Sequence, residues 1–227
     1  MRLEDLNWMD VETYLRDDDR LILVLGACEQ HGFLSLLTDV KIPLALADAA
    51  SARTRVPVAP PLNFGLSPYF MRYAGTLSLR TTTFLAVVED LVRSVHAHGF
   101  RRLMVLNGHG GNQPGRAVLS ELVNELPGLK VDWYDWWTAP SVRAVAERAG
   151  LPPSHANWLE AFEFCRVADL PARAKPLAAA PRPLNAAETR ALYGDGSFGG
   201  PYSAPAEVMH AVFDAALSDV LERLAFA

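Results

Sequence analysis

The sequence predicts an α/β protein with a mainly parallel central sheet that is covered by helices on both faces. Short, continuously aliphatic segments alternate along the chain with longer segments in which apolar residues recur every three or four positions. The first pattern is typical of strands buried on both faces, and the second is typical of amphipathic helices. Because strand and helix alternate, parallel pairing through helical crossovers is favoured.

Four segments have the pattern of buried strands. They comprise residues 21–25, 56–59, 103–106 and 131–134. The second of them is closed early by Pro60, which has no backbone N–H to donate to a neighbouring strand. The sequence therefore predicts a sheet of four short strands.

Five segments have helical periodicity and lie between or after these strands. They comprise residues 42–53, 82–98, 113–125, 140–148 and 204–224. Residues 171–183 are rich in Pro and Ala, and residues 194–201 are rich in Gly, so both predict irregular connections. With no internal repeat and no long linker, residues 1–227 are predicted to form one domain.

Composition narrows the classes of function. The chain of 227 residues is 50% hydrophobic and 21% charged, which is typical of a globular protein. Its 26 acidic and 21 basic residues give a net charge of −5, so no nucleic-acid partner is expected. Two cysteines, Cys28 and Cys165, cannot form a disulfide scaffold, and the amino terminus does not have the pattern of a signal peptide. The longest apolar run is too short to cross a membrane, so we expect a cytoplasmic protein without membrane association.

Two polar clusters follow predicted strands. Residues 26–32 read GACEQHG, and residues 107–112 read NGHGGN. Ligands of open α/β sheets bind at the carboxyl ends of the strands, so functional residues are expected in these clusters. Glu29, His31 and Asp39 offer the carboxylate and imidazole ligands that suit Zn, Mn or Fe. The alternative is that Asp39 caps the following helix while the other two face solvent.

Other chemistries are less well supported by the sequence. The NGHGGN loop could hold a phosphate because it follows a strand and opens a helix, but its glycines do not fit the dinucleotide pattern G-x-G-x-x-G. The chain contains no G-x-S-x-G nucleophile motif. Cys28 is better explained as a small residue at a strand end than as a nucleophile. Structural roles are predicted for the remaining histidines, His96, His98 and His210.

Four motifs in order carry a resemblance to a known family. They are EQHG at 29–32, LLTD at 36–39, NGHGGN at 107–112, and His155-Ala156 with Glu160. Together they resemble the creatininase (creatinine amidohydrolase) family. Further matches are GLS at 65–67, AGTLS at 74–78, HGFR at 98–101 and GGP at 199–201. The resemblance extends through most of the chain.

The resemblance implies a creatininase-like three-layer α/β sandwich that holds two divalent metal ions. Zn is the first expectation for both ions, and Mn or Fe are alternatives. When the family's metal ligands are matched to this sequence, Glu29 and His109 would bind one ion, His31 would bind the other, and Asp39 would bridge them. Family members commonly form homo-oligomers, including hexamers, so an oligomer is expected here.

Two further residues take their expected roles from the resemblance. Creatininase has a glutamate two positions after the NGH histidine, where this chain has Gly111, and Glu160 is expected to supply the missing ligand. His155 matches the family histidine that moves a proton, and the ordinary pKa of histidine near 6.5 suits donation to a departing nitrogen.

The chain departs from the family around the expected substrate. The segment between EQHG and TD is one residue shorter, and Pro68-Tyr69 stand where Glu-His is common. Leu151 and Pro152 replace the Trp and Asp of creatininase. Creatinine is therefore not the expected substrate. Substrate contacts are predicted for five residues, although an aromatic cluster equally fits a core or a subunit interface: Ser67, Tyr69, Gly110, Trp136 and Trp137.

Three functions remain as hypotheses. The first is a metal-dependent amidohydrolase, in which a water activated by two metal ions cleaves the C–N bond of a small cyclic or linear amide. The second is a peptidase, like the family member that trims the precursor of a redox cofactor. The third is a non-catalytic homologue that binds a metal or ligand. The intact Glu, His, Asp, His set favours retention of the metal.

Overall fold

The computed structural model describes residues 1–226 and contains one sheet of three parallel strands. These are β1 (Arg20–Leu25), β2 (Arg102–Asn107) and β3 (Lys130–Asp135), in that order across the sheet. The register places Leu25 beside Asn107, and Asn107 beside Asp135. The loops that follow all three strands therefore leave the sheet at the same edge.

The predicted strand at residues 56–59 is not a strand of this sheet. The segment runs along β1 but forms only isolated bridges, such as that between Val58 and Ile22. Prolines at positions 57, 60 and 61 have no N–H to donate, so a continuous ladder cannot form. The predicted number of four strands was wrong for this reason.

Helices surround the sheet. The structure describes seven α-helices between residues 1 and 226: α1 (Trp8–Tyr14), α2 (Thr38–Thr54), α3 (Thr81–His98), α4 (Gly115–Glu125), α5 (Pro140–Ala149), α6 (Ala186–Tyr193) and α7 (Ala206–Arg223). The five predicted helices are all present. None of the helices in the described chain has the length and apolar character needed to cross a membrane.

The two unpredicted helices, α1 and α6, are short and begin with the same capping arrangement. Asn7 and Asn185 each accept backbone N–H groups of the first turn. The third helical residue, Asp10 or Glu188, accepts the N–H of the capping asparagine in return. Local capping defines these helices more than an apolar stripe does, so periodicity did not reveal them.

Side chains of the strands alternate between two cores. Even-numbered residues of β1 and β2, from Ile22 to Leu106, pack with α2, α5 and α7. Odd-numbered residues, from Leu21 to Val105, pack with α3 and α4. Because apolar side chains leave both faces of the sheet, helices cover both faces. The predicted three-layer α/β fold is confirmed.

Ion pairs connect β1 and β2 at their amino ends. Arg20 Nη2 lies 2.6 Å from Asp18 Oδ2, and Arg102 Nη2 lies 3.1 Å from Asp18 Oδ1. Arg102 also pairs with Asp19. Burial would raise the pKa of Asp18, but the hydrogen bonds and charge of Arg20 lower it overall. This edge of the sheet is held by charges that are balanced within the chain.

Candidate metal centre

Segments that are distant in sequence meet at the carboxyl edge of the sheet. The loop after β1 contributes two residues, the first turn of α2 contributes one, the loop after β2 contributes one, and the segment after α5 contributes two. Four of these residues are at most 3% exposed. The structure thus brings together all six residues for which metal or catalytic roles were predicted: Glu29, His31, Asp39, His109, His155 and Glu160.

Helix α2 begins four residues before the predicted start, so Asp39 lies in its first turn rather than in a preceding loop. The turn packs directly against the loop after β2. A Cβ atom at Gly108 would overlap the backbone oxygen of Asp39 and lie 2.8 Å from Cγ of Pro43. Only glycine permits this close approach.

Replacing Gly108 with Ala is expected to destabilise the fold by about 1–3 kcal/mol, because the added methyl group must push α2 away. Denaturant unfolding of the metal-free proteins measures the change. Gly110→Ala is the matched control, since its Cβ would meet only Cζ2 of Trp137, at 3.9 Å. Equal stability of the two variants would contradict the close-packing argument.

Besides a set of Glu29, His31 and His155, the candidate ligand atoms form two sets that share Asp39. In one set, His109 Nδ1 lies 3.0 Å from Asp39 Oδ2 and 3.4 Å from Glu29 Oε1. In the other, His31 Nε2 lies 3.0 Å from Asp39 Oδ1 and 3.8 Å from Glu160 Oε1. Within each set the ligand atoms lie within 4.8 Å of one another. Each of the two sets that share Asp39 offers two carboxylates and one imidazole.

Three buried atoms of this cluster have no hydrogen-bond partner: Glu29 Oε2, His31 Nε2 and Asp39 Oδ2. His31 Nε2 is near Asp39, but the direction of the contact is not that of a hydrogen bond. An unpaired buried polar atom costs about 1–3 kcal/mol. Atoms that converge without bonding one another are expected where they share a cation. The residues present therefore fit a divalent metal such as Zn²⁺ or Mn²⁺.

A cavity of about 280 Å³ opens above the cluster. Among the predicted substrate contacts, Tyr69, Gly110 and Trp137 line it. Ser67 and Trp136 do not: Ser67 is buried behind His109, with its Oγ 3.4 Å from the ring Nε2, and Trp136 belongs to the core beside α5. The shape of the cavity gives these two residues no direct contact with a substrate.

The family model for creatininase, described as creatinine amidohydrolase, matches residues 4–224. This chain belongs to the creatininase family. The resemblance seen in the sequence motifs is confirmed.

Curated relatives carry different activities. The chain is 33% identical to creatinine amidohydrolase of Pseudomonas putida over 115 residues, which is 48% of this chain and 44% of the relative. It is 37% identical to the mycofactocin precursor peptide peptidase of Mycobacterium tuberculosis (strain ATCC 25618 / H37Rv) over 103 residues, which is 40% of this chain and 41% of the relative. The aligned part thus spans less than half the length of these relatives.

Solved structures share the fold over nearly the whole chain. A crystal structure of creatinine amidohydrolase superimposes with a TM-score of 0.83 and 22% identity, covering 98% of this chain and 96% of the other. A creatininase mutant described as Zn–Zn type gives 0.82 at 22% identity, with the same coverage. At this identity the likeness establishes the creatininase fold.

In this creatininase-family chain, several of the ionisable candidate ligands have shifted pKa values. Burial alone would raise the pKa of Asp39, but contact with two histidines lowers it. Burial raises the pKa of Glu160 to about 7, although the N–H of Ala156 donates to its Oε2 at 2.6 Å. Burial also raises the pKa of Tyr69, so its phenol keeps its proton in the cavity.

Metal binding is expected to release about two to three protons at pH 7, because ligation requires neutral imidazole at two histidines and an ionised carboxylate at Glu160. Burial opposes the charge of His31, but Asp39 outweighs it and raises the pKa to about 10. The carboxylates likewise raise the pKa of His109 well above 6.5. Both rings are therefore protonated in the metal-free protein at pH 7, and the apparent affinity falls about 10-fold per released proton for each unit decrease in pH.

Calorimetric titration with Zn²⁺ in two buffers of different ionisation enthalpy counts the released protons. A His31→Ala variant should release fewer protons than the natural chain. His210→Ala, which removes an exposed histidine from α7, is the control and should release the same number. Binding heats that do not depend on the buffer would contradict the expectation.

The ring of His155 packs against two aromatic side chains. Its ring lies 4.8 Å from that of Phe70, stacked at 23°, and 4.8 Å from that of Phe198. Nε2 lies 2.9 Å from Nε2 of Gln30 and 3.2 Å from its backbone oxygen, while Nδ1 lies 3.8 Å from Glu29 Oε1. Burial, together with a neighbouring histidine, lowers the pKa well below 6.5. His155 is therefore neutral at pH 7, with Nδ1 directed towards the carboxylates.

Asn107 joins the loops around the site, a role that sequence reasoning missed. Its Nδ2 donates to the backbone oxygen of His109 and to Oδ1 of Asp135, both at 2.8 Å. Its Oδ1 accepts the N–H of His109 at 3.3 Å and Nδ2 of Asn112 at 3.2 Å. The NGHGGN motif contained the signal for Asn107 and Asn112, but only the strand register places Asp135 beside them.

Other cavity residues were also missed. Arg143 lies on α5, and Phe198 lies in the glycine-rich segment that was predicted as a connection. The amine of Lys175 holds this segment by donating to Oδ1 of Asp195 and the backbone oxygen of Ser197. No motif marked Arg143 or Phe198 in the sequence, because their position depends on how distant segments pack.

Proposed function

We propose that this protein is a metal-dependent hydrolase that cleaves the C–N bond of a small cyclic or linear amide. The observation that carries the proposal is the pair of buried ligand sets that share Asp39 at the base of a cavity. Family membership supports a hydrolase of this kind. The fold and the ligand chemistry are both consistent with two divalent ions.

The proposed ligands divide between two ions. Glu29, Asp39 and His109 would hold one ion, while His31, Asp39 and Glu160 would hold the other. Zn is the first choice, with Mn or Fe as alternatives, because all three accept mixed carboxylate and imidazole ligands. When bound, such a pair of ions polarises a carbonyl oxygen and makes water acidic enough to ionise near neutral pH.

His155 is the proposed proton-transfer residue. Its Nδ1 faces the carboxylates, whereas its Nε2 contacts the side chain of Gln30. Because the ring is neutral at pH 7, it can accept a proton at Nδ1 and then donate that proton to the departing nitrogen. Packing by Phe70 and Phe198 fixes the plane of the ring and leaves 15% of the His155 side chain exposed.

The size of the cavity favours a small substrate. Its volume of about 280 Å³ is just below the roughly 300–1,000 Å³ of pockets that hold drug-sized molecules. Tyr69 and Trp137 form part of its walls and are proposed to contact the substrate together with the backbone at Gly110. The protonated phenol of Tyr69 can donate a hydrogen bond to a substrate carbonyl.

A peptidase is the second candidate, and one observation favours it. A neighbouring cavity of about 300 Å³ is lined by residues between Arg143 and Pro153, and both of these residues also line the metal-facing cavity. A peptide chain could continue from one cavity into the other. The curated peptidase relative supports this second activity.

Reconstitution and assay test the proposal. The metal-free protein is loaded with Zn, Mn or Fe, the metal content is measured, and hydrolysis is followed for cyclic ureas, lactams, formamides and short peptides. Turnover of small amides with about two bound ions per chain is expected. Turnover of peptides alone would favour the peptidase, and full metal content without any turnover would favour a non-catalytic binding protein.

A further inference from the structure

Arg143 is a permanent cation at the wall of the metal-facing cavity. Val142 and Val145 are buried in the core, so α5 cannot rotate, and this fixes Arg143 at the side of the helix that borders the cavity. The other ionisable residues that line the cavity are carboxylates, histidines and Tyr69. Arg143 is the lone Arg or Lys among the described lining residues.

The guanidinium of Arg143 makes no ion pair or hydrogen bond with any residue between 1 and 226. Other exposed arginines do pair, as Arg116 does with Asp135 and Arg223 with Asp132. Glu147 lies one helical turn from Arg143 and lines the neighbouring cavity, but the two side chains do not form an ion pair. The donors of Arg143 are therefore available to a molecule in the cavity.

The net charge of the cavity with two metal ions bound also favours an anionic ligand. Its three carboxylates supply three negative charges, two divalent ions would supply four positive charges, and Arg143 adds one more. The histidines add none when they act as neutral ligands. A cavity with net positive charge attracts an anion and repels a cationic substrate.

We propose that the substrate is an amide that carries a carboxylate, and that Arg143 selects it by binding this group. The inference rests on the proposed amide hydrolysis and names its substrate class. A planar guanidinium matches a carboxylate through two parallel hydrogen bonds. A small amide that carries a carboxylate is of a size to fit a cavity of about 280 Å³.

Paired substrates test the selectivity of the zinc-loaded enzyme. One pair is 2-pyrrolidinone-5-carboxylate and its 5-hydroxymethyl analogue; a second is N-acetylalanine and N-acetylalaninol. Within whichever pair the enzyme hydrolyses, we expect a higher kcat/KM for the carboxylate than for the alcohol. The difference should come mainly from a lower KM for the carboxylate. In Arg143→Ala this preference should fall about 10- to 100-fold, which corresponds to loss of hydrogen bonds to a charged group.

Two further variants sharpen the test. Arg143→Lys keeps the charge but loses the two-pronged geometry, so the preference should fall to an intermediate value. Arg148→Ala removes another exposed arginine of α5 that lines neither cavity, and it should leave the preference unchanged. An equal effect of Arg143→Ala on both members of a pair, or no effect on either, would overturn the proposal.

A binding measurement separates this inference from the proposed hydrolysis. Calorimetry compares the affinities of cyclopentanecarboxylate and cyclopentylmethanol for the zinc-loaded protein. Neither compound has an amide to cleave. We expect the carboxylate to bind more tightly and Arg143→Ala to lose about 10-fold or more of that affinity. Unchanged affinity in the variant would mean that Arg143 does not bind the anion. Arg143-dependent binding without hydrolysis of any amide would overturn only the proposed activity.

Discussion

Replacing Asp39 with Asn is expected to lower the kcat/KM of amide hydrolysis by roughly 10³-fold or more, together with loss of bound metal. Each carboxylate oxygen of Asp39 belongs to a different ligand set, at 3.0 Å from His31 or His109. The neutral amide of asparagine offers one oxygen in place of two and carries no negative charge. One substitution should therefore weaken both ion sites at once.

Elemental analysis of the purified and reconstituted variant measures its metal content, and circular dichroism establishes that it is folded. Asp90→Asn is the matched control, because Asp90 is an exposed carboxylate of α3 outside the site. We expect this control to keep its metal and its activity. A folded Asp39→Asn protein with two bound ions and natural turnover would contradict the shared-ligand arrangement.

Replacing Asn107 with Ala is expected to destabilise the protein by about 2–4 kcal/mol and to weaken metal binding about 10- to 100-fold. Asn107 is completely buried and joins the backbone of His109 to Asp135 and Asn112 through four hydrogen bonds. Alanine leaves these partners unpaired inside the protein. The loop that carries His109 should then lose its fixed position.

Denaturant unfolding of the metal-free protein measures the stability change, and competition with a chelator measures the metal affinity. Gln113→Ala is the control, since its exposed amide also donates to Asp135, at 2.9 Å. A change of less than about 1 kcal/mol is expected for an exposed hydrogen bond of this kind. Equal effects of the two substitutions would show that burial of Asn107 does not matter.

The sequence could predict residues that follow directly from a buried strand. The aliphatic runs identified β1 and β2, and the rule that ligands bind at carboxyl ends then placed Glu29 and His109 together. Asp39 could be included because it stands so near Glu29 in the chain. For these residues, the local pattern already contains the information that fixes their position.

Residues in and beyond α5 could not be placed by the same reasoning. The segment that carries His155 and Glu160 has no helical or strand periodicity, so only the family motif linked it to the site. Arg143 has an ordinary helical context, and Phe198 lies among glycines. Their meeting depends on long-range packing, which a single sequence does not encode in a local pattern. The predicted strand at residues 56–59 failed because proline removes backbone donors, which hydrophobicity alone does not report.

The ion pairs of Asp18 and Asp19 with Arg20 and Arg102 contribute to the fold without contributing to the proposed chemistry. They lie at the amino edge of the sheet and join β1 to β2 without any residue of the metal centre. None of these four residues lines the cavity above the candidate ligands. The exposed loops around the cavity can therefore differ in sequence while these contacts between β1 and β2 stay in place. Tolerance of change is expected in those loops, and not at Asn107 and Gly108, which are packed against the rest of the site.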